Sequence, residues 1–156
     1  YLQPSKAQNQ TPKQPGKHLN LKRGLHFVEA LGLAKSAGNV EFIFEGDLNK
    51  VEFVIHEMAH MLSLGLPVTS AGMTEVGNRL RDLPDRGLRE EALVLSTEKI
   101  VFASVGIEMD PADLEDAANI QGVKPELLAE MMGSAKARAL ARRLLRRLEA
   151  EGILSG

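Results

Sequence analysis

The segment KVEFVIHEMAHML, residues 50–62, places His56, Glu57 and His60 close together in a chain that has only four histidines. If the segment is helical, residues i and i+4 lie one above the other on the same face. Both imidazoles then reach one Zn²⁺ at roughly 2.0–2.1 Å. Glu57, one position further along, can reach a water on that metal without being a ligand. The spacing therefore predicts a metal site held by His56 and His60, with Glu57 beside it.

The neighbours of this polar cluster are apolar. Val51, Val54 and Ile55 lie on one face of the predicted helix, and Phe53 and Leu64 flank the histidines on the other. Burying a carboxylate and two imidazoles without partners costs several kcal/mol, and a bound cation removes that cost. The alternative interpretation is that the three are accidental polar residues on an amphipathic helix.

The composition limits the kinds of site and partner. The chain has 156 residues, no cysteine and a formal net charge of -2, so any metal must be held by His, Asp or Glu. That charge predicts neither general nucleic-acid binding nor attraction to a membrane. No apolar run approaches the ~20 residues of a membrane span. The lack of cysteine fits a cytoplasmic protein, and equally a secreted or injected one.

The first 19 residues differ from the rest of the chain. They are rich in Gln, Pro and Lys and have no apolar periodicity, which predicts a flexible basic tail or linker. Such a tail could contact nucleic acid or an acidic partner, although a solubilising linker is the simpler interpretation. Residues 20–156 are then expected to form a single domain.

Within that domain, helical periodicity dominates. The first predicted elements are a helix from Asn20 to Gly38 and a strand over residues 40–45. The motif helix follows, with Asp47 or Asn49 as its N-cap and Gly65 at its end. Residues 66–86 are predicted to form an irregular segment, and a loop of this length is often functional. The remaining predicted elements are a helix from Leu88 to Gly106, a helix with Asp110 as its N-cap, and a last helix from about Pro125 to Ala150. This order predicts a mostly helical α+β fold, with a small sheet on the motif helix and a C-terminal helical extension.

The motif helix, with a strand before it and a later helix that opens REEALVLSTE, resembles the zincin metallopeptidases of the gluzincin type. It is most similar to the minimal metallopeptidase domains of phage and plasmid antirestriction or polyvalent proteins, repressor-cleaving regulators and polymorphic toxins. The resemblance covers about residues 40–106 and implies a zincin-like core, a Zn²⁺ cofactor and a protein or peptide substrate. It also implies hydrolysis by a metal-activated water, with Glu57 as the general base.

The resemblance further implies a third metal ligand, a Glu on the later helix followed by a small residue. Glu91, followed by Ala92, matches this pattern best, and Glu90 is the alternative. Other acidic residues are available, namely Glu75, Asp82, Asp85 and Glu98. Glu98 lies on the same helical face as Glu91, where it could orient a ligand imidazole or simply be solvated.

The chain departs from the family in one respect. Many zincins stabilise the tetrahedral intermediate with a Tyr or His, but here the only tyrosine is Tyr1 and the other histidines lie upstream of the motif. The substitutes that the sequence offers are Arg79, Arg81 and Arg86, which could equally be solvated charges.

The last helix contains a second candidate site. The segment AKARALARRLLRRLEAEGIL alternates leucines with basic residues, so it could bind nucleic-acid phosphates or an acidic protein. It could equally pack on the core with its arginines solvated.

Two functions other than a metallopeptidase stay open. One is a zincin-fold binding module that acts by contact without cleavage, and the other is a helical DNA- or protein-binding domain in which the motif is a coincidence.

Overall fold

The computed structural model describes residues 16–33 and 46–156, which form seven helices and one two-stranded sheet. The elements are β1 (His18–Leu19), α1 (Leu21–Ala30), α2 (Gly46–Ser63), α3 (Ser70–Asp82), α4 (Leu88–Ser104), α5 (Pro111–Ile120), α6 (Pro125–Met131), α7 (Ala135–Ala150) and β2 (Leu154–Ser155). The fold is mostly helical with a small sheet, as the sequence pattern predicted, but the described sheet is formed by residues 18–19 and 154–155 and not by the strand predicted before the motif helix.

The sheet joins the two ends of the described chain. β1 and β2 pair antiparallel, with His18 opposite Ser155 and Leu19 opposite Leu154. Lys17 Nζ also donates to Glu149 at 2.7 Å. His18 and Leu19, which the sequence placed in the tail, thus take part in the fold, while residues 1–15 and the strand predicted at residues 40–45 lie outside the described residues.

Helix α2 lies at the centre and packs against α1, α3, α4 and α7. Six of its apolar residues have no exposed surface: Val51, Val54, Ile55, Met58, Ala59 and Met61. A helix that is apolar on most sides is expected in such a position. The helix begins at Gly46, so Asp47 lies in its first turn and Asn49 inside it, and neither is the N-cap that the sequence predicted. An acid in the first turn still interacts favourably with the helix dipole.

The C-terminal end of α2 is covered by arginines from two other helices. Arg143 Nη2 donates to Leu62 O at 2.9 Å, and Arg79 Nη2 donates to Leu64 O at 3.1 Å. The last carbonyls of a helix have no partner within the helix, and these bonds supply one to Leu62 O in the last turn and one to Leu64 O just after the helix. Gly65 follows with a φ of 72°, which confirms the predicted end of the motif helix.

The prediction of an irregular segment over residues 66–86 is wrong, because most of it forms α3. Thr69 Oγ1 caps this helix by accepting from Gly72 N at 3.1 Å. Gly72 faces the Pro67 carbonyl so closely that a Cβ there would lie 1.8 Å from the oxygen. The glycine therefore permits a close backbone approach within a helix, although glycine costs about 1 kcal/mol relative to alanine in a helix interior.

Two other helix boundaries differ from the prediction. α1 ends at Ala30 and not at Gly38, because Leu33 N bonds back to Val28 O at 2.8 Å and closes the last turn. The last predicted helix is two helices, α6 and α7. Gly133, with a φ of 73°, separates them, and Ser134 Oγ caps α7 by accepting from Ala137 N at 3.1 Å.

The sequence predicted α4 and α5 correctly. α4 runs to Ser104 and is followed by Gly106 with a φ of 79°, and Asp110 caps α5 by accepting from Ala112 N at 2.8 Å. α4 is nearly as buried as α2, and Ala92 and Phe102 have no exposed surface. Because these two central helices pack directly against each other, polar side chains between them share one enclosed space.

Candidate metal centre

The two histidines of the motif point their Nε2 atoms at the same place. His56 and His60 lie on successive turns of α2, and their Nε2 atoms are 3.2 Å apart. Two nitrogens bound to one tetrahedral Zn²⁺ at 2.0–2.1 Å would be separated by about 3.3–3.4 Å. The spacing that the sequence predicted is therefore present, and both imidazoles present the same nitrogen.

Glu91 on α4 completes a group of three potential ligands. Its Oε1 lies 3.5 Å from His56 Nε2 and in direct ion-pair contact with His60 Nε2. One ligand atom from each of His56, His60 and Glu91 can be chosen so that all three lie within 4.8 Å of one another. These three residues could hold a metal ion. The structure thus brings Glu91, and not Glu90, to the Nε2 side of the histidines.

The opposite nitrogen of each imidazole meets a second carboxylate of α4. Glu98 Oε2 is 2.5 Å from His56 Nδ1, and Glu90 Oε2 is 3.1 Å from His60 Nδ1. Carboxylates in this position fix the orientation of a ligand imidazole and increase its basicity. Glu98 has no exposed surface, so it orients His56 and is not the solvated residue that the sequence left as an alternative.

The partner of Glu90 was not anticipated from the sequence. Ser63, in the last turn of α2, donates from Oγ to Glu90 Oε1 at 2.8 Å, which links the serine, the carboxylate and His60 in one chain of contacts. A signal was available for part of this arrangement, because Glu91 and Glu98 are seven residues apart and share a helical face. Glu90 offers no such signal, because adjacent positions on a helix point about 100° apart.

Burial and mutual contacts shift the pKa values of His56, His60 and Glu91 within the cluster. Burial alone would lower the pKa of His56, but the charge of Glu98 and contacts with Glu91 and Glu98 hold this pKa well above its usual value. Burial opposes protonation of His60 too, but contacts with Glu90 and Glu91 raise its pKa. For Glu91, contacts with both imidazoles outweigh burial and hold the pKa well below its usual range. Without a metal, these contacts therefore favour protonated imidazoles beside an ionised Glu91.

Glu57 differs from the other three carboxylates. It is half-buried, and it makes no hydrogen bond or ion pair with any residue that the structure describes. Burial raises the pKa of Glu57 above its usual value, and the positive charges of His56 and His60 only partly offset this. A carboxylate with a raised pKa and no fixed partner is a stronger proton acceptor than an ordinary surface glutamate.

The remaining candidates from the sequence do not join the cluster. Glu75 and Asp82 are exposed on α3, and Asp85 caps the start of α4 by accepting from Arg89 N at 2.9 Å. The other histidines, His18 and His26, are exposed elsewhere. The three arginines considered for stabilising an oxyanion, Arg79, Arg81 and Arg86, are exposed as well, and the first two bond to Leu64 O and to Asn78.

Comparisons of the chain with protein-family models, with curated proteins and with solved structures give no match. The interpretation of the site therefore depends on its own geometry. Among the described helices, none combines the length and the hydrophobicity that a bilayer-spanning segment requires.

Proposed function

We propose that the chain is a zinc-dependent metallopeptidase domain that hydrolyses peptide bonds in a small set of protein or peptide substrates. The observation that supports this is the convergence of His56 Nε2, His60 Nε2 and Glu91 Oε1, with Glu57 adjacent and unpaired by the described residues. Two imidazoles and one carboxylate form a ligand set of catalytic zinc sites, which leave a position open for water or substrate.

Zinc suits this set better than the other common divalent cations. Mg²⁺ and Ca²⁺ prefer oxygen ligands in greater number, whereas two imidazoles favour zinc or a neighbouring transition metal. The distance of 3.2 Å between the Nε2 atoms is close to the separation that tetrahedral zinc requires. When bound, zinc supplies Lewis acidity towards water and a carbonyl oxygen.

The residues of the chain supply the rest of the chemistry. Glu57 takes the proton of the attacking water and passes it to the amine that leaves when the peptide C–N bond breaks. Glu98 and Glu90 hold the two imidazoles through Nδ1, so that Nε2 of each faces inward. The arginines considered for stabilising the oxyanion, Arg79, Arg81 and Arg86, are exposed and make no hydrogen bond or ion pair with the cluster, so we expect a slow enzyme with narrow specificity.

The resemblance to minimal phage, plasmid and toxin metallopeptidase domains fits such a role. Enzymes in these settings act on one or a few partner proteins, so high turnover is not needed. Narrow specificity also fits the enclosure of the site, where His56 and His60 are only 3% and 1% exposed. A substrate must bring an extended, accessible segment to the half-buried Glu57.

The test is cleavage of a quenched fluorescent peptide library, with zinc and with a chelator, by the unaltered chain and by Glu57→Gln. Loss of a general base is expected to lower the rate by about 10²–10⁴-fold, while zinc content stays near one per chain. Glu75→Gln, an exposed acid on α3, is the matched control and should cut at the original rate. Equal cleavage by Glu57→Gln and the unaltered chain would exclude this mechanism.

A second function, a metal-dependent binding module without hydrolysis, is favoured by one observation, the near-complete burial of both imidazoles. A structural zinc has closed coordination, whereas a catalytic zinc keeps a position open. Glu57→Gln separates the two functions. It should leave a metal-dependent contact function intact and remove only cleavage.

A further inference from the structure

The outward face of α7 has an unusual composition. One stripe of the helix is buried, comprising Ala137, Leu140, Ala141, Leu144 and Leu148. The opposite side exposes Arg138, Arg142 and Arg146 at four-residue spacing, with Ala135 among them. We call Arg138, Arg142 and Arg146 the outward arginine row. Apart from the half-buried Leu145, the residues beside Arg142 on this helix are basic residues and alanines, so a partner can approach the helix closely.

The charge of α7 is not balanced by its surroundings. The helix contains six basic residues and one acidic residue, a net charge of +5 in a chain of net charge -2, so the remainder carries -7. The acids at the end of the helix are already paired, Glu149 with Lys17 and Glu151 with Arg147. Arg142 and Arg146 form no hydrogen bond or ion pair with the described residues, whereas Arg147 pairs with Glu151 at 2.8 Å.

This pattern does not serve the stability of the helix. Like charges four residues apart destabilise a helix by about 0.2–0.5 kcal/mol per pair, and the outward arginine row contains two such pairs. Lys136 lies in the first turn, where the helix dipole favours negative charge. Arg138 donates to Gly133 O and Arg143 donates to Leu62 O. Arg142 and Arg146 are therefore the two exposed arginines of α7 without a partner among the described residues, and this pair indicates a surface that is used for binding.

We infer that the outward arginine row binds the phosphate backbone of a nucleic-acid duplex. Guanidinium groups offer paired N–H donors that match phosphate oxygens. A protein–protein interface is most apolar at its fully buried core, but the exposed large apolar residues among those described are Leu21 and Ile120, neither of which is on α7. The helix also has no aromatic residue on which unpaired bases could stack.

The size of the outward arginine row determines how tightly it is expected to bind a duplex. The 16 residues of α7 extend about 24 Å, and the outward arginine row covers about half of this length. Two or three phosphate contacts give weak, sequence-independent binding with strong salt dependence. This surface is separate from the metal centre, so the proposal does not depend on the proposed function.

The experiment measures the fluorescence anisotropy of labelled 20-base-pair DNA and RNA duplexes of arbitrary sequence, titrated with the full chain at several salt concentrations. We expect binding to at least one duplex at 50 mM salt. Arg142→Glu/Arg146→Glu should weaken it at least tenfold and reduce the slope of log K against log salt by about 2, one contact per arginine. His26→Ala, at an exposed position on α1 outside the metal centre, should bind as the unaltered chain does.

The matched control reverses the same number of charges elsewhere. Arg81→Glu/Lys124→Glu changes two exposed basic residues outside α7 and should alter binding less than threefold. Circular dichroism and Tm of each variant check folding, and Arg142→Lys/Arg146→Lys, which keeps the charge, should retain most of the binding. The proposal is overturned if neither duplex binds at 50 mM salt, if both charge-reversal variants weaken binding equally, or if a polyglutamate peptide of equal charge binds more tightly than the duplexes.

Discussion

Helices α2 and α7 are neighbours of similar length, but α2 buries polar side chains and α7 exposes them. α2 encloses His56 and His60 with almost no exposed surface, and each imidazole meets carboxylates at both nitrogens. α7 buries only apolar residues and turns its arginines outward. Both helices pack in the same core and contact each other, so the difference lies in their side chains and not in their location.

The comparison shows what burial demands of a polar group. A buried imidazole or carboxylate without a partner costs several kcal/mol, so every polar residue that α2 buries in the cluster requires a matching residue on α4. An exposed arginine is hydrated, so it needs no partner residue in the protein. Substitutions in the cluster should therefore propagate to neighbouring groups, whereas substitutions on the outward arginine row should affect only what binds there.

The largest effect is expected from removing a histidine. His56→Ala or His60→Ala leaves only two potential ligands, and a buried carboxylate of α4 loses its imidazole partner. We therefore expect zinc content to fall from one per chain to near zero and the Tm to drop. Elemental analysis and thermal unfolding measure both quantities. His26→Ala, at an exposed position on α1, is the control. Unchanged metal content in both motif variants would end the zinc proposal.

The next effect separates the two sides of α7. Leu144 has no exposed surface, so Leu144→Ala should lower the free energy of unfolding by about 2–5 kcal/mol. Arg146→Ala, two residues on but exposed, should change it by less than about 0.5 kcal/mol. Urea unfolding at fixed zinc concentration measures both. An Arg146→Ala loss as large as that of Leu144→Ala would mean that the outward arginine row supports the fold.

A smaller effect is expected at the carboxylate ligand. Glu91→Ala should weaken zinc affinity at least tenfold, about 1.4 kcal/mol, in the range measured even for residues that only orient ligands. Glu75→Ala should leave the affinity unchanged. Competition with a fluorescent chelator measures the affinities. If Glu90→Ala is the more damaging variant, the ligand is one residue earlier; if neither matters, the histidines do not share a metal with α4.

The smallest effect concerns pH. The pKa values of His56 and His60 are raised on folding, so their protonation stabilises the metal-free fold below the unfolded-state pKa of about 6.5, and this stabilisation is lost as pH rises through the folded-state pKa values. Zinc binds the unprotonated imidazoles. From about pH 6.5 to 8.5, the Tm of the metal-free chain should fall and the gain on adding zinc should grow. A gain that shrinks with pH would contradict proton exchange at the histidines.

The parts of the structure that local chemistry decides were predictable from the sequence. Asp110 before Pro111 marks the start of α5, and Gly106 marks the end of α4, because caps depend on a few adjacent residues. The two histidines and Glu91 were also predictable, the first pair from helical spacing and the third from a family resemblance. These features do not require knowledge of which helices pack together.

The errors come from residues whose role depends on tertiary contact. Gly72 looks like a loop residue until the Pro67 carbonyl is placed against it, and the break at Gly133 lies within a continuous helical pattern. Glu90 could be assigned to His60 only after the relative rotation of α2 and α4 was known. Sequence periodicity gives the face of a helix but not the rotation of its partner.

The pairing of β1 with β2 has a consequence for chain topology. Because His18 lies opposite Ser155, the two ends of the described chain lie side by side. A short loop with a small entropic cost would be enough to join them. A circular permutant that joins these ends and opens at the exposed turn around Gly122 would keep every helix contact. For the same reason, a host protein could carry this domain as an insertion in a surface loop without separating the strands on either side.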